Sequence, residues 1–293
     1  MLNRVVEPVN PFQKFVAGHA RLLQTGKKLP SGHLQKISPR PKQSVHAPKV
    51  LIFSPHPDDE CITGGLALRL LREAKWKVIN VAVTLGSKRG RRAARLRELQ
   101  NACASLGFDL LVANERGLDH INPEARRGDR RHWRAAVKAI AGILAEHQPK
   151  VIFVPHEHDG HETHIGTHWL IRDALGTLPR PFTCHVAETE FWGQMTKPNL
   201  LVESSVNDVV ALVAALACHV GEVKRNAYHA RLPAWMMDNV RRGAELIGGL
   251  GSPAPNFVFG TIYRLSEWNG GKVVPVNGKF LSSRGDVAAL FKV

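Results

Sequence analysis

Residues 56–60, His56-Pro57-Asp58-Asp59-Glu60, set an imidazole and three consecutive carboxylates within five positions. Carboxylates this close repel one another in a half-buried loop unless a cation offsets them. A divalent zinc ion would do so, because imidazole nitrogen and carboxylate oxygen are its ordinary ligands. The plainer alternative is that Asp58, Asp59 and Glu60 only favour the positive N-terminus of a following helix, with His56 incidental. A second cluster answers the first: His156, His158, His161, His164 and His168 fall within thirteen positions, interleaved with Glu157, Asp159 and Glu162. Such density points to a metal or proton-transfer site. His161-Glu162-Thr163-His164 is one residue short of the H-E-x-x-H helix of zinc proteases, so that chemistry is excluded.

Both clusters directly follow strand-like runs. Lys49-Val50-Leu51-Ile52-Phe53 ends at Pro55, and Val151-Ile152-Phe153-Val154 ends at Pro155. Val78–Val83 and Leu110–Ala113 are two more such runs, and helical spacing recurs over Arg92–Leu106 and Trp133–Leu144. Strands alternating with helices predict an α/β fold, a mostly parallel, Rossmann-like sheet flanked by helices, with ligands beyond the strands' carboxyl ends. No G-x-G-x-x-G and no P-loop accompanies it, which removes support for dinucleotide and triphosphate binding. Further on, a strand is expected through Cys184–Ala187 and helices over Val209–Glu222 and Ala234–Leu246. Asn269-Gly270-Gly271 predicts a C-terminal β-hairpin. Residues 1–48, with prolines at 8, 11, 30, 39, 41 and 48, are expected to form an arm with a short helix around Phe12–Leu23. Residues 49–293 are then a single α/β domain.

The formal charge is +15 over 293 residues and is unevenly spread. Residues 1–50 hold nine Lys/Arg against Glu7 alone, and Lys88, Arg89, Arg91, Arg92, Arg95 and Arg97 crowd another stretch. An anionic partner is one reading and a solvated basic face the other. Nucleic acid would be the rival partner by charge, yet Trp133 is the only aromatic interleaved with the basic residues of 88–97 and 126–134 and no binding motif occurs, so no specific nucleic-acid partner is expected. No apolar run reaches about 18 residues, so no transmembrane segment is expected. Cys61, Cys103, Cys184 and Cys218 form no C-x-x-C pair, which favours a reducing, cytoplasmic setting.

Four motifs together resemble the PIG-L/LmbE-like de-N-acetylases, enzymes that take acetyl groups from N-acetylglucosamine-type sugars. Pro55-His56-Pro57-Asp58-Asp59-Glu60 looks like the family's H-P-D-D-E, and Gly160-His161-Glu162-Thr163-His164 is similar to its G-H-P-D-H, with Glu162 and Thr163 in place of Pro and Asp. Arg95-Leu96-Arg97-Glu98 through Leu106-Gly107 resembles the family's R-x-x-E helix, and Gly117-Leu118-Asp119 its sugar-contacting loop. The likeness covers residues 49–170 and, more loosely, the remainder, and has no counterpart for the arm.

The resemblance implies that His56, Asp59 and His164 bind Zn2+, that Asp58 is the catalytic base and that a protonated His161 stabilises the oxyanion. It implies that Arg95 and Asp119 contact sugar hydroxyls. The rival register makes His161 the ligand and His158 its partner, because His158 and His161 repeat the same spacing. Lys88, Arg89, Arg91 and Arg92, in the basic stretch after the second strand, are expected to contact an anionic group on the substrate, a phosphate, nucleotide or lipid head group on the amino sugar. Hydrolysis of another natural-product amide is the alternative with the same site, and self-association into a homo-oligomer is left open.

Overall fold

The computed structural model describes residues 10–32 and 41–291. In chain order the elements are α1 (Pro11–Gly26), β1 (Lys49–Ser54), α2 (Asp59–Ile62), α3 (Gly65–Arg72), β2 (Lys77–Ala82), α4 (Arg92–Leu106), β3 (Asp109–Val112), α5 (Pro123–Gly128) and α6 (Arg130–His147). There follow β4 (Val151–Pro155), α7 (Glu162–Thr177), β5 (Thr183–Thr189), β6 (Leu200–Ser204), α8 (Val206–Leu216), α9 (Val220–Arg225), α10 (Tyr228–Gly248), β7 (Phe259–Asn269), β8 (Lys272–Pro275) and β9 (Lys279–Leu281).

The sheet runs β3-β2-β1-β4-β5-β7-β6-β9, with β8 paired to β7. Pairing is parallel from β3 through β5 and turns antiparallel where β7 meets β5 and β6. The α/β expectation of a mostly parallel, helix-flanked sheet therefore holds. Because strand side chains alternate between faces, Val50 and Ile52 of β1 join one core, and Leu51 and Phe53 join the other. β4 divides likewise, Val151 and Phe153 against Ile152 and Val154. Fully apolar strands are what a sheet covered on both faces requires.

Chain direction reverses between β1 and β4. β1 leads outward through β2 to β3, while β4 leads the other way to β5. The loops leaving adjacent β1 and β4 thus diverge, and the gap between their carboxyl ends is where such sheets bind ligands. Both chemical clusters emerge there.

The hairpin forms as expected: Asn269 pairs with Lys272 across Gly270 and Gly271, whose φ values of 54° and 93° suit the two central positions of a tight turn. The expected helix over Val209–Glu222 is two helices instead. His219, at φ −80° and ψ 65°, caps α9 after a break, and its ring is drawn inward to Glu60. β6 and β9 had no legible signal, being five and three residues long. No described helix is long and apolar enough to cross a membrane.

His168 on α7 supports the end of β4, its Nδ1 lying 3.0 Å from the Pro155 carbonyl oxygen. Burial pulls its pKa from 6.5 to about 4, against the opposing pull of that carbonyl and of Glu157. Between about pH 4 and 6.5 the unfolded chain therefore binds the proton more readily, so this contribution is full above the window and lost on acidification. Urea denaturation of the wild type and of His168→Gln at pH 7 and pH 4 should show the variant losing less stability on acidification, by up to about 3 kcal/mol. Parallel losses would mean that His168 does not carry this linkage.

Candidate active site and metal centre

His56 follows β1, and Asp59 opens α2 three residues later, so the His56 amide donates to Asp59 Oδ2 at 2.8 Å. His164, in the first turn of α7, arrives from the β4 side. His56 Nδ1 lies 3.1 Å from His164 Nε2, His164 Nε2 3.3 Å from Asp59 Oδ2, and His56 Nδ1 3.6 Å from Asp59 Oδ2. Ligand atoms about 2.0–2.2 Å from a tetrahedral zinc stand about 3.3–3.6 Å apart. The residues present therefore fit such an ion. Asp59 and His164 are buried and His56 is partly exposed, which leaves one side of the triangle open. Burial drives the Asp59 carboxyl upward, but His164 and His56 outweigh it and hold the carboxyl below its usual range.

The outer nitrogen of His164 is also committed: Nδ1 lies 3.1 Å from Asp159 Oδ1, and the other Asp159 oxygen accepts from the Phe191 and Trp192 amides at 3.1 Å. A carboxylate behind a ligating histidine fixes its tautomer and ring direction. His156 Nε2 anchors the same loop at the Gly193 carbonyl, 2.9 Å away. Gly193 is required there, because a Cβ would stand 2.5 Å from the carbonyl oxygens of His158 and Asp159.

His161 caps α7, its Nδ1 accepting from the Thr163 amide at 3.2 Å. Its ring packs against His56 and Trp192 at centroid separations of 4.9 and 5.9 Å. Burial, together with His56 and His164, pulls its pKa down. With Nδ1 accepting from the Thr163 amide, Nε2 is the ring nitrogen left for the cavity. Ligand nitrogens of His56, His161 and His164 do lie within 4.8 Å of one another, but Asp59 gives the tighter set. His158, the partner in the rival register, points outward with its side chain 77% exposed.

Asp58 occupies a backbone conformation that side chains other than glycine rarely adopt, φ 120°. Its amide donates to Glu60 Oε2 at 3.0 Å, and its carboxylate faces Arg95 Nη2 at 3.8 Å. Burial and then the Asp59 charge push the Asp58 carboxyl well above its ordinary range, with Arg95 pulling the other way. Glu60 is itself pinned by His219 Nε2 at 2.6 Å and accepts from the Cys61 thiol at 3.2 Å. Those three also lie close enough to suggest a metal. The 2.6 Å contact is a hydrogen bond, too short for two zinc ligands, so the trio is a buried brace beneath Asp58.

A cavity of about 740 Å³ opens over the triangle and is lined by His56, Asp58, Asp59 and His161. Arg92, Arg95 and Asp119 also line it, so the structure brings all the expected site residues together except His164, which sits buried beneath. Arg92 is not a free cation: it holds Asp119 in an ion pair and donates to the Gly86 carbonyl at 2.9 Å. That ion pair keeps the Asp119 carboxyl below its usual range. Arg95 likewise donates to the Pro57 carbonyl at 2.9 Å. Sequence reasoning missed the far wall, Tyr228, Arg231, Leu232 and Trp235 of α10, and also Phe191 and Trp192. Only the last pair had a signal, because aromatics just beyond β5 fall at the sheet's carboxyl edge.

Residues 51–175 match the PIG-L family, described as GlcNAc-PI de-N-acetylase. This segment is a PIG-L domain. The enzyme class that goes with it is an N-deacetylase, a hydrolase of amide bonds. No curated protein sequence matches the chain. Among solved structures, an N,N'-diacetylchitobiose deacetylase from Pyrococcus horikoshii superposes with a TM-score of 0.55 at 19% identity, covering 90% of this chain and 95% of its own. A zinc-inhibited teicoplanin deacetylase gives 0.53 at 13% identity, with coverage of 75% and 98%. GalB, the 4-carboxy-2-hydroxymuconate hydratase from Pseudomonas putida, gives 0.52 at 16%, with coverage of 74% and 95%. At these identities the likeness is one of fold, and the fold hosts more than one reaction.

The brace under Asp58 is directly testable. His219→Leu leaves Glu60 buried without its strongest partner and should lower the unfolding free energy in urea by about 3 kcal/mol. Adding Glu60→Gln should recover part of that loss, since no charge is then stranded. An unchanged midpoint for the single variant would show that Glu60 does not need His219.

Proposed function

We propose that the chain is a zinc-dependent hydrolase that removes an acetyl group from an anionic N-acetylglucosamine-type sugar conjugate. The observation that carries this reading is the His56, Asp59 and His164 triangle, with sides of 3.1 to 3.6 Å, beside the buried Asp58 carboxyl. His56, Asp59 and His164 would hold the ion, leaving a further position for water or substrate. When bound, zinc lowers the pKa of a neighbouring water to about 7 and polarises the amide carbonyl.

The chain's own groups do the rest. Asp58 as carboxylate takes a proton from the attacking water and returns it to the departing amine. Arg95 and the brace from Glu60 position that carboxyl. His161 offers Nε2–H to the developing oxyanion. Asp119 and Arg95 face the sugar hydroxyls, while Arg92 holds Asp119 in place. Of the four cations expected to face an anionic substituent, Arg91 lies 3.6 Å from Glu222 and Arg92 is paired with Asp119, which leaves Lys88 and Arg89, with Arg231 added from α10. Lys88, Arg89 and Arg231 are exposed on the cavity wall and form no ion pair among the described residues. They are the cations available to a phosphate or other anionic substituent.

Metal analysis and amine release from a panel of N-acetylated sugars test this together. His164→Ala should lose the ion while His161→Ala keeps it, and the opposite pattern would reinstate the rival register. Asp58→Asn should keep the ion and lose roughly 10²–10⁴-fold in kcat. Full activity in that variant, or amide cleavage by metal-free protein, would end the proposal. Lys88→Gln, Arg89→Gln and Arg231→Gln combined should erase a preference in kcat/KM for phosphorylated over neutral N-acetylglucosamine conjugates. That preference should also shrink as salt shortens the screening length to about 8 Å near 0.15 M. Equal rates on both substrates at low salt would return these side chains to ordinary surface.

A further inference from the structure

The hydrolase reading leaves α1 without a purpose, and α1 is built unlike any other described α-helix. An amphipathic helix of a globular protein normally turns its apolar stripe inward. None of the sixteen residues of α1 is buried. At 100° per residue, Phe12, Phe15, Val16 and Leu23 share one face, bordered by Leu22, and Gln13, Lys14, Arg21, Gln24 and Thr25 share the opposite one. The apolar face looks outward: Phe12 is 75% exposed, Phe15 67%, Val16 64% and Leu22 70%.

Charge says what would cover it. Residues 10–32 contain Lys14, Arg21, Lys27 and Lys28 and no acid. A protein partner would need its own acidic rim, and a second copy of a chain at +15 would bring like charge to the contact. Aromatic and aliphatic side chains on one face, with cations on the other, are the make-up of a helix lying in the headgroup layer of an anionic bilayer. We infer that α1 docks the protein on an anionic lipid surface, with Phe12, Phe15, Val16 and Leu22 inserted and Lys14, Arg21, Lys27 and Lys28 drawn to the headgroups.

The far end of α1 is tied to the catalytic half. The Gly26 carbonyl lies 3.1 Å from His229 Nε2, and a Cβ on Gly26 would stand 2.8 Å from the Ala230 Cβ. The Gly32 amide donates to the Ala217 carbonyl at 2.8 Å. His229 and Ala230 belong to α10, which also supplies Tyr228, Arg231, Leu232 and Trp235 to the cavity. A docked α1 would therefore bring the cavity wall close to the bilayer. The inference stands whether or not the cavity performs deacetylation, because its readout is binding.

The test is sedimentation of the full chain with large vesicles, either phosphatidylcholine alone or with about 30% phosphatidylglycerol, at low and high salt. Binding should be at least about tenfold stronger on the anionic vesicles and should weaken with salt. Phe12→Ser, Phe15→Ser and Val16→Ser combined should abolish it while leaving the circular dichroism spectrum and the metal content unchanged. Gln at Lys14, Arg21, Lys27 and Lys28 should lower it without touching the apolar face. Failure to sediment with anionic vesicles, equal binding to neutral ones, or binding indifferent to the serine variant would overturn the inference. So would a dimer in sedimentation equilibrium that the serine variant dissolves, since the face would then belong to a second copy.

Discussion

Two imidazoles, His56 and His164, and four carboxylates converge where the carboxyl ends of β1 and β4 lie side by side, and the surrounding structure is arranged around that charge. Each buried acid but one has been given its own donors. Asp59 accepts the His56 amide, Glu60 faces His219 and accepts the Asp58 amide, and Asp159 accepts two amides from the loop at Phe191 and Trp192. Buried charges persist only when paired or hydrogen-bonded in this way. Asp58 is the exception. Among the described residues its carboxyl has only the guanidinium of Arg95, at 3.8 Å, and burial beside Asp59 pushes it upward. A carboxyl left poised to hold or release a proton, among others that are fully committed, is what acid–base chemistry requires.

That arrangement stores strain as well as charge. Asp58 sits at φ 120° because the chain must turn from β1 into α2 within four residues while presenting His56, Asp58 and Asp59 to one point. The brace that holds the strained amide reaches beyond the loop itself. His219 comes from the break between α8 and α9, about 160 residues further on, outside the stretch that matches the PIG-L family. The cavity is assembled in the same way: His56, Asp58, Asp59 and His161 come from the β1 and β4 loops, and much of the wall comes from α10.

Much of this was legible in the residues. Continuous β-branched and aliphatic strands, helices between them and polar clusters directly after two of them led to a covered parallel sheet with a site at its carboxyl edge. The hairpin was legible because Asn-Gly-Gly suits positive φ. The α8–α9 break was not, because Val209–Glu222 has helical composition throughout and the force that breaks it is a contact with Glu60. The capping role of His161 was not legible for a related reason: its Nδ1 accepts the Thr163 amide only once α7 has formed.

By itself, then, the sequence determined the fold class, the place of the chemistry along the chain and the set of groups that could hold a metal, since these follow from local periodicity and from residue type. Neighbouring acids could not be told apart that way. Asp58 and Asp59 are adjacent in sequence, yet the turn aims one at the histidines and the other at Arg95. The tertiary structure alone decided their separation, the pairing of Arg92 with Asp119, and which cations stay unpaired on the cavity wall. Each of those depends on groups brought together from distant parts of the chain, and long-range contacts leave no trace in local spacing.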